Sequence, residues 1–450
     1  IIDLGVMVPA DKIINAIRDN GVDIIGLSGL ITPSLEEMIH FAGELEREKI
    51  SIPLLIGGAT TSKKHTAVKI EQKYSGPTVY VPDASRSVGT VRSLLNNKRR
   101  GEFIADVRKE YSRIRVSYEE KMVTRNLIPL SEAREKKSHQ NWKNYSPPEP
   151  ELKGIRIFDN YALDELTNYF DWTPFFTAWE LKGKYPKIFG NKKVGRQAKI
   201  LHDDALRLLK QIVSHNLLTA KGVIGFFPAV SIGDDIRIFR DEGRQQERMV
   251  LHHLRQQISK SHKQPNRCLA DYIAPEESGL KDWIGVFAVT VGHGVETLSK
   301  RFEKDGDDYN KILLKTLADR FAEAFTERIH ERVRQEFWGY AKDEVMDKEG
   351  LIREKYRGIR PAPGYPSCPD HTEKSNLWNL LNVEKHAGIT LTENFAMTPA
   401  ASVSGWYFSH PDSAYFGLGR ITREQVTDYA RRKGIEFNTA EKWLAPHLGY

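Results

Sequence analysis

Apolar and polar positions alternate regularly over the first quarter of the chain. Short apolar runs predict strands, and the segments between them, with apolar residues every three or four positions, predict helices. The predicted strands cover residues 1–8, 22–31, 52–58 and 77–81, and the predicted helices cover 11–20, 34–49, 65–74 and 85–96. Continuous apolar strands between amphipathic helices are typical of a parallel sheet covered on both faces. Residues 1–120 are therefore predicted to form an α/β domain with a Rossmann-like sheet.

The pattern changes further along the chain. Residues 222–239 predict two strands joined by a loop, and residues 283–292 predict another buried strand. A long helix is predicted at 307–338, with a core-facing stripe of Leu313, Leu317, Phe321, Phe325 and Ile329. Strands and long helices without regular alternation indicate a separate α+β domain over residues 151–450, with a mostly antiparallel sheet.

Residues 121–150 lie between these two patterns. They mix basic residues with Ser and Asn, and they include the pair Pro147 and Pro148. This composition is typical of a linker. We therefore predict a connector that lets the two domains change their mutual position.

Residues 356–374 are rich in proline, glycine and aromatic residues. Proline fixes φ, removes a donor and makes the preceding residue extended, so residues 360–366 are predicted to form a stiff ribbon with unused carbonyl groups. Such a ribbon suits the binding of a small ligand. A rigid surface connector between helices explains the same composition equally well.

Composition narrows the class of protein. The chain has 450 residues, 40% of them hydrophobic, and no apolar run of membrane-spanning length or signal peptide, so we expect a cytoplasmic protein of two or three domains. Its two cysteines, Cys268 and Cys368, are expected to be free thiols. The formal net charge of +7 favours solvated basic faces or an acidic protein partner over nucleic acid, because no nucleic-acid motif accompanies it.

The loops that follow three predicted strands are small and hydroxylated: LSGLITPS, IGGATTS and VPDASRS. Ligands of parallel α/β sheets bind at the carboxyl ends of the strands, so these loops favour a cofactor site. Tight turns with Ser and Thr as helix caps explain each loop separately.

Five other residues have candidate chemistry. Asp171 stands among aromatic residues and could bind a cation or cap a helix. His252 and His253 are adjacent in a predicted helix and therefore point in different directions, which makes them poor joint metal ligands. Cys368 and His371 do not make a metal site by themselves, and we assign a structural role to both.

Three segments resemble one known family. NYFDWTPFF at 168–176, RGIRPAPGYPSCPDHTEK at 357–374 and SGWYFSHPDSAYF at 404–416 are similar to the activation domain of the cobalamin-dependent methionine synthases, and the resemblance covers nearly the whole chain. It implies a cobalamin-binding domain followed by a domain that binds S-adenosylmethionine. The homocysteine and folate modules of the family, and the zinc of the homocysteine module, are not implied for these residues.

The resemblance also implies site residues. Tyr365 would cover the upper face of cobalamin as the catalytic residue. The implied cobalamin contacts are Ser28, Thr32, Ser34 and Ala84, and the implied S-adenosylmethionine contacts are Asp171, Arg360, Ala362, Tyr415 and Phe416. Phe416 replaces a tyrosine of the family. The histidine that ligates cobalt belongs to an Asp-x-His-x-x-Gly motif expected upstream of Ile1, and Ser34 would end its proton relay.

The implied activity is reductive methylation of inactive cob(II)alamin, within an enzyme that transfers a methyl group from methyltetrahydrofolate through methylcobalamin to homocysteine. The implied partners are flavodoxin or another flavoprotein reductase and the enzyme's own modules. We expect a monomer that binds neither nucleic acid nor membrane. A corrinoid-binding sensor or carrier and a basic RNA-binding protein are the alternatives.

Overall fold

The computed structural model describes residues 1–5, 8–29, 33–96, 98–123, 127–260 and 264–450. The chain divides into two compact units. The first comprises Ile1–Ile128 together with Glu441–Tyr450, and the second comprises Pro129–Ala440.

The first unit is built on a parallel sheet with the order β1-β2-β3, in which Ile25 pairs with Leu54 and Leu54 with Thr78. Its strands are β1 (Ile25–Ser28), β2 (Leu54–Gly57) and β3 (Thr78–Tyr80). Its helices are α1 (Ala10–Asn20), α2 (Pro33–Arg47), α3 (Lys63–His65), α4 (Ala84–Leu95) and α5 (Arg100–Val123). The parallel α/β fold predicted for this region is therefore confirmed.

One local prediction in this unit is wrong, and another is right in its position but not in the type of helix. No strand forms in the described part of the predicted strand at 1–8, which comprises residues 1–5 and 8. The helix predicted at 65–74 is present, but its type differs: after α3 the chain forms a π-helix at Thr66–Ile70 and a 3₁₀ turn at Glu71–Lys73. Ala67 and Ile70 are fully buried, so packing rather than helix periodicity decides this segment.

The second unit is α+β. Its strands are β4 (Gly154–Tyr161), β5 (Thr219–Ile232), β6 (Asp235–Phe239), β7 (Glu247–His252), β8 (Asp282–His293), β9 (Thr390–Leu391), β10 (Met397–Thr398) and β11 (Ser402–Tyr407). Its α-helices are α6 (Leu130–Glu135), α7 (Leu163–Thr167), α8 (Trp172–Ala178), α9 (Gly195–Ser214), α10 (Val295–Lys304), α11 (Asp308–Arg332), α12 (Lys348–Ile352), α13 (Lys374–Leu381), α14 (Val383–Ala387) and α15 (Arg423–Lys433). A last helix, α16 (Phe437–Leu444), crosses the limit between the units. Short 3₁₀ and π turns of the second unit lie at Lys187–Gly190, Leu269–Tyr272, Glu276–Ser278, Val333–Phe337 and His371–Glu373, and a 3₁₀ turn of the first unit lies at Ala445–His447.

The main sheet of this unit is antiparallel, as predicted, with the order β11-β8-β5-β6-β7. Strand β4 also pairs with β5. Side chains of β5 alternate between two cores: Ile224 and Phe226 pack with α9 and α11 on one face, and Val223 and Phe227 pack with α13 and α14 on the other. The sheet is therefore covered by helices on both faces, and β11 forms one of its edges.

The segment predicted as a connector is partly packed onto the second unit. Trp338 donates its indole N–H to the carbonyl oxygen of Pro148 at 2.8 Å, and Arg134 forms an ion pair with Asp234 at 2.8 Å. Tyr145 accepts a hydrogen bond at 2.8 Å from Arg357. The second unit begins at Pro129, within this segment, and ends at Ala440, whereas the domain limits at 120 and 150 stay predictions.

The helix predicted around His252 and His253 is wrong. Residues Glu247–His252 form strand β7, which pairs with β6 and places Asp235 opposite His252. His252 lies 3.2 Å from the Asp235 carboxylate, and His253 is 1% exposed against the ring of Trp406.

Among the described residues, no group of three or more His, Cys, Asp or Glu side chains could hold a metal ion. In the same part of the chain, no helix is long and apolar enough to cross a membrane.

Candidate functional site

The proline-rich ribbon adds to the free edge of β11. Ile359 and Phe408 exchange backbone hydrogen bonds of 3.1 and 3.0 Å, and the N–H of Trp406 donates to the carbonyl oxygen of Pro361 at 2.9 Å. Gly405 permits this approach, because a β-carbon there would stand 2.5 Å from that oxygen. The prediction that the ribbon leaves its carbonyl groups unused is therefore wrong at Pro361.

The ribbon then turns sharply at Tyr365. The N–H of Gly364 donates to the carbonyl oxygen of Cys368 at 2.7 Å, and the N–H of Cys368 donates to that of Tyr365 at 2.9 Å. The Tyr365 side chain is 57% exposed at the tip of this turn. An exposed aromatic ring on a doubly hydrogen-bonded turn can cover a ligand without first becoming ordered.

A buried pair supports the turn from below. Gly364 has a φ of +90° and packs so closely on His371 that a β-carbon would stand 2.2 Å from the ring. The Nδ1 atom of His371 lies 3.0 Å from the Lys374 ammonium nitrogen. Burial lowers the pKa of His371 to about 4, with a further contribution from Lys374, and burial lowers the pKa of Lys374 to about 8. These contacts are those of a structural support.

A cavity of about 380 Å³ opens beside the start of the ribbon. It is lined by Asn168, Tyr169, Asp171, Pro174, Arg320, Glu323, Glu327, Glu331, Met346, Leu351, Ile352, Glu354 and Arg360. Five of these residues carry carboxylates and two carry guanidinium groups. The lining thus offers anions for a cationic ligand and fewer cations for a carboxylate.

Asp171 both caps a helix and lines the cavity. Its carboxylate accepts a hydrogen bond of 2.9 Å from the backbone N–H of Thr173, in the first turn of α8. The apolar residues around it, Phe170 and Trp172, are buried and hold the start of α8 in place. The two interpretations left open by the sequence are therefore compatible, because one carboxylate oxygen is used by the cap.

Arg360 is held by two groups. Its Nη2 atom forms an ion pair with Glu327 at 2.7 Å, and its backbone N–H donates to the hydroxyl oxygen of Tyr415 at 3.0 Å. Burial lowers the pKa of Arg360, but Glu327, together with Tyr356, Tyr415 and Glu323, outweighs burial, and the pKa is raised well above its ordinary value. Arg360 is consequently a fixed, permanent cation in the cavity wall.

Helix α11 supplies functional candidates that the sequence reasoning missed. Arg320, Glu323, Glu327 and Glu331 all line the cavity, and their spacing of three, four and four residues places them on one helical face. Tyr169 donates its hydroxyl hydrogen to Glu331. A spacing of three or four residues identifies the apolar stripe of this helix in the sequence. The four charged residues follow the same spacing, so this pattern is the signal that could have found them.

The other predicted residues of this site are not among the described residues that line the cavity. Ala362 is buried two residues after Arg360, and Tyr415 reaches Arg360 through its hydroxyl group. Phe416 is partly buried and packs against the core on the α13 and α14 face of the sheet. Neither Tyr365 nor Phe416 is among the described residues that line the cavity, and their roles stay predictions.

The predicted cobalamin contacts of the first unit lie near strand ends. Ser28 is the exposed last residue of β1 and pairs with Gly57 of β2, and Ser34 is the second residue of α2. Ala84 is the first residue of α4. Thr32 lies outside the described residues. Ser28, Ser34 and Ala84 are at the carboxyl edge of the sheet or just after it, where ligands of parallel sheets bind.

Glycines bring the loops after β1 and β2 together. Gly58 has a φ of +105°, and a β-carbon there would stand 2.3 Å from the carbonyl oxygen of Gly29. The loop after β3 contains a helix cap, because Asp83 accepts a hydrogen bond of 3.0 Å from the N–H of Arg86 in α4. Capping thus explains the third loop and the end of the second, where Ser62 accepts a hydrogen bond of 3.1 Å from the N–H of His65 in α3. Close backbone approach joins the first two loops.

Comparison with known proteins agrees with this architecture. Residues 162–434 match the family described as vitamin B12 dependent methionine synthase, activation domain, and residues 1–72 match the family described as B12 binding domain. A solved structure entitled "Crystal Structure of the MetH Reactivation Domain bound to AdoHcy" is similar to this chain, with 52% sequence identity and a TM-score of 0.70. The similarity covers 72% of this chain and 99% of that one.

These findings define a protein that joins a B12-binding α/β unit to an α+β activation unit. The activation-domain match extends over more than half of the chain. The chain belongs to the vitamin B12-dependent methionine synthase family, a family of methyltransferases.

Proposed function

We propose that the second unit binds S-adenosylmethionine in the cavity beside Arg360 and uses it for the reductive methylation of cobalamin. The observation that carries this proposal is the charge arrangement of the cavity, in which Arg360 is fixed among five carboxylates. S-adenosylmethionine carries one carboxylate and two cationic groups, the ammonium and the sulfonium. A lining with more anions than cations fits that ligand.

Each end of the ligand has a candidate partner. Arg360 presents a planar guanidinium group suited to a carboxylate, and Asp171 presents a carboxylate suited to a cation. Glu323, Glu327 and Glu354 add negative charge to the same wall. The solved activation-domain structure at 52% identity, whose title gives AdoHcy as its ligand, supports this proposal.

The first unit fits cobalamin at the carboxyl edge of its sheet. The close approach of Gly29 and Gly58 keeps the loops after β1 and β2 compact, and Ser28 is exposed beside them. We propose Ser28, Ser34, Thr32 and Ala84 as its contacts. When bound, cobalamin would supply a cobalt centre able to take an electron from a reductase and then the methyl group of S-adenosylmethionine, which would leave as S-adenosylhomocysteine.

The protein contributes position rather than acid–base chemistry to this step. The Glu327 and Tyr415 contacts fix Arg360 before the ligand arrives, so less conformational freedom is lost on binding. Tyr365 is exposed at the tip of its turn and would cover the upper face of cobalamin. Orienting the two reactants in this way converts a bimolecular transfer into an effectively unimolecular one.

The proposed function also needs a reductase partner that donates the electron, and it has a proposed cellular location. Family membership implies a reductase partner, and we propose flavodoxin or a related acidic flavoprotein, which the formal charge of +7 suits. We further propose that the chain works in the cytoplasm as a monomer. Within the complete enzyme, the repaired cofactor would serve methyl transfer from methyltetrahydrofolate to homocysteine.

The proposal is tested with the polypeptide loaded with cob(II)alamin under anaerobic conditions. S-adenosylmethionine labelled in its methyl group is added together with a one-electron donor, and methylcobalamin is followed by its absorption spectrum and label. We expect methylcobalamin to form only when both the donor and S-adenosylmethionine are present. Retention of cobalamin without any methylation would indicate a corrinoid carrier instead.

A further inference from the structure

A carboxylate that no sequence motif singled out holds the key cation of the cavity. Glu327 lies on α11, and its Oε2 atom stands 2.7 Å from Nη2 of Arg360. Both side chains are largely buried, with 14% and 19% of their surface exposed. Since buried ion pairs with short contacts have little freedom, the position of the guanidinium group depends on Glu327.

The remaining atoms of this pair face a buried layer. Within the described residues, Arg360 Nε and Glu327 Oε1 are buried without a hydrogen-bond partner, and so are both ring nitrogens of His330 and the hydroxyl of Tyr407. The His330 ring stacks on Tyr407 at 5.3 Å with an angle of 12°, and its edge meets Tyr356 at 4.8 Å. This layer is packed and aromatic, and the charge of Arg360 contributes to the pKa shifts of His330, Tyr356 and Tyr407, so the layer lies beside Arg360.

The contacts leave one part of the guanidinium group for a ligand. Nε is buried and Nη2 already bonds Glu327, so the terminal edge of Arg360 is the part that meets the cavity. A guanidinium group has five N–H donors, and Glu327 uses one of those on Nη2. Donors on the terminal edge therefore stay available for a second carboxylate.

We infer that Glu327 is a positioning residue, which orients Arg360 so that its terminal edge receives the carboxylate at the amino-acid end of the ligand. This inference rests on the proposed binding of S-adenosylmethionine. It concerns the selection of a ligand that carries an amino-acid carboxylate over one that lacks it. An already oriented arginine loses less conformational freedom on binding than a free one. Orientation by Glu327 therefore increases only the affinity that comes from the contact between Arg360 and the ligand carboxylate.

The test compares S-adenosylmethionine with decarboxylated S-adenosylmethionine, which lacks only the carboxylate. Calorimetric titration of each compound gives the ratio of the two dissociation constants for the wild-type chain and for Glu327→Gln and Glu327→Ala. We expect the wild type to prefer the carboxylate-bearing compound by about 10- to 100-fold, as for a charged bidentate contact. Glu327→Ala should reduce this preference to within a few-fold, and Glu327→Gln, which keeps an acceptor oxygen, should retain part of it.

Several outcomes would overturn the inference. If both ligands weaken by the same factor, Glu327 is only structural, and if the preference rises, Glu327 competes with the ligand instead of orienting Arg360. Glu336→Ala serves as the matched control, because Glu336 is a half-exposed carboxylate that pairs with Arg332 in the turn after α11. Should Glu327→Ala not fold, Glu327→Gln decides, since an unchanged or increased preference contradicts the inference. Absence of S-adenosylmethionine binding by the folded wild type would instead reject the proposed function.

Discussion

Gly405 and Pro361 lie in direct backbone contact, and a β-carbon on Gly405 would stand 2.5 Å from the carbonyl oxygen of Pro361. This contact sets the ribbon on the edge of β11 one residue after Arg360. Gly405→Ala is therefore expected to push the ribbon outward, destabilise the unit by about 1–3 kcal/mol and weaken S-adenosylmethionine binding. Thermal unfolding and calorimetry measure the two effects.

Gly417→Ala is the control for that change. A β-carbon at Gly417 would have Pro366 at 4.0 Å as its nearest neighbour, which is ordinary contact. This variant should bind S-adenosylmethionine as the wild type does. Unaltered ligand affinity in Gly405→Ala would show that the ribbon does not set the position of Arg360.

The two roles of Asp171 can be separated by substitution. Asn caps helices about as well as Asp, so Asp171→Asn should keep the cap on Thr173 and the stability of α8 while it removes the charge. Asp171→Ala should lose both, with a decrease of about 1 kcal/mol in the free energy of unfolding. We expect both variants to bind S-adenosylmethionine roughly 10-fold more weakly, as for the loss of a charge-assisted contact. Wild-type affinity in Asp171→Asn would restrict Asp171 to capping.

His371 is expected to make stability depend on acid pH. Its pKa is about 4 in the folded protein and about 6.5 when unfolded, so between these values the unfolded state binds more protons. The stability contributed by the neutral ring is complete above pH 6.5 and falls as the pH is lowered toward 4. The loss is on the order of 2–3 kcal/mol.

Urea unfolding at several pH values between 7 and 4 tests this dependence. The His371→Gln variant should lose less stability over the window than the wild type, whereas His215→Gln, which changes an exposed histidine, should follow the wild type. Identical slopes for the wild type and His371→Gln would contradict the assignment. The quantity to compare is the difference between the wild type and His371→Gln in the loss of unfolding free energy, because many carboxylates titrate in the same pH range in both proteins.

The first unit allows an independent prediction. Gly58→Ala would place a β-carbon 2.3 Å from the carbonyl oxygen of Gly29, so the loops after β1 and β2 must separate. We expect weaker retention of cobalamin, measured by gel filtration with absorbance detection, and unchanged S-adenosylmethionine binding. Gly43→Ala in α2 is the control, since its β-carbon would meet nothing within 4 Å. Equal cobalamin retention in both variants would exclude these loops from the site.

The periodicity of apolar residues predicted the type of fold of each unit well, because the residues that pack in the cores follow it. The alternation of β5 between two cores and the apolar stripe of α11 are direct consequences of periods near 2 and 3.6. Neither periodicity nor composition predicts contacts between residues that are distant in the sequence. The composition of residues 121–150 indicated a connector, but it gave no sign that Trp142 and Tyr145 would pack on His410, with ring centroids 4.9 and 4.6 Å apart.

The sequence also predicted some residues of the candidate site and missed others. Asp171 and Arg360 came from resemblance, and the structure places both in one cavity wall. Glu327 was missed because a glutamate on a long helix ordinarily faces solvent, and only its contact with Arg360 distinguishes it from the exposed Glu336. The pairing of the ribbon with β11 depends on Gly405, whose partner lies more than forty positions away in the chain.

The most direct test of the central claim is calorimetric titration of the polypeptide with S-adenosylmethionine, beside Arg360→Ala and the control Arg353→Ala. Arg353 is 61% exposed, pairs with Glu349 and is not among the described residues that line the cavity. We predict one saturable site in the wild type and in Arg353→Ala, with binding weakened at least about 100-fold in Arg360→Ala. Binding that is equal in all three folded proteins, or absent from the wild type, would contradict the assignment of this cavity to S-adenosylmethionine.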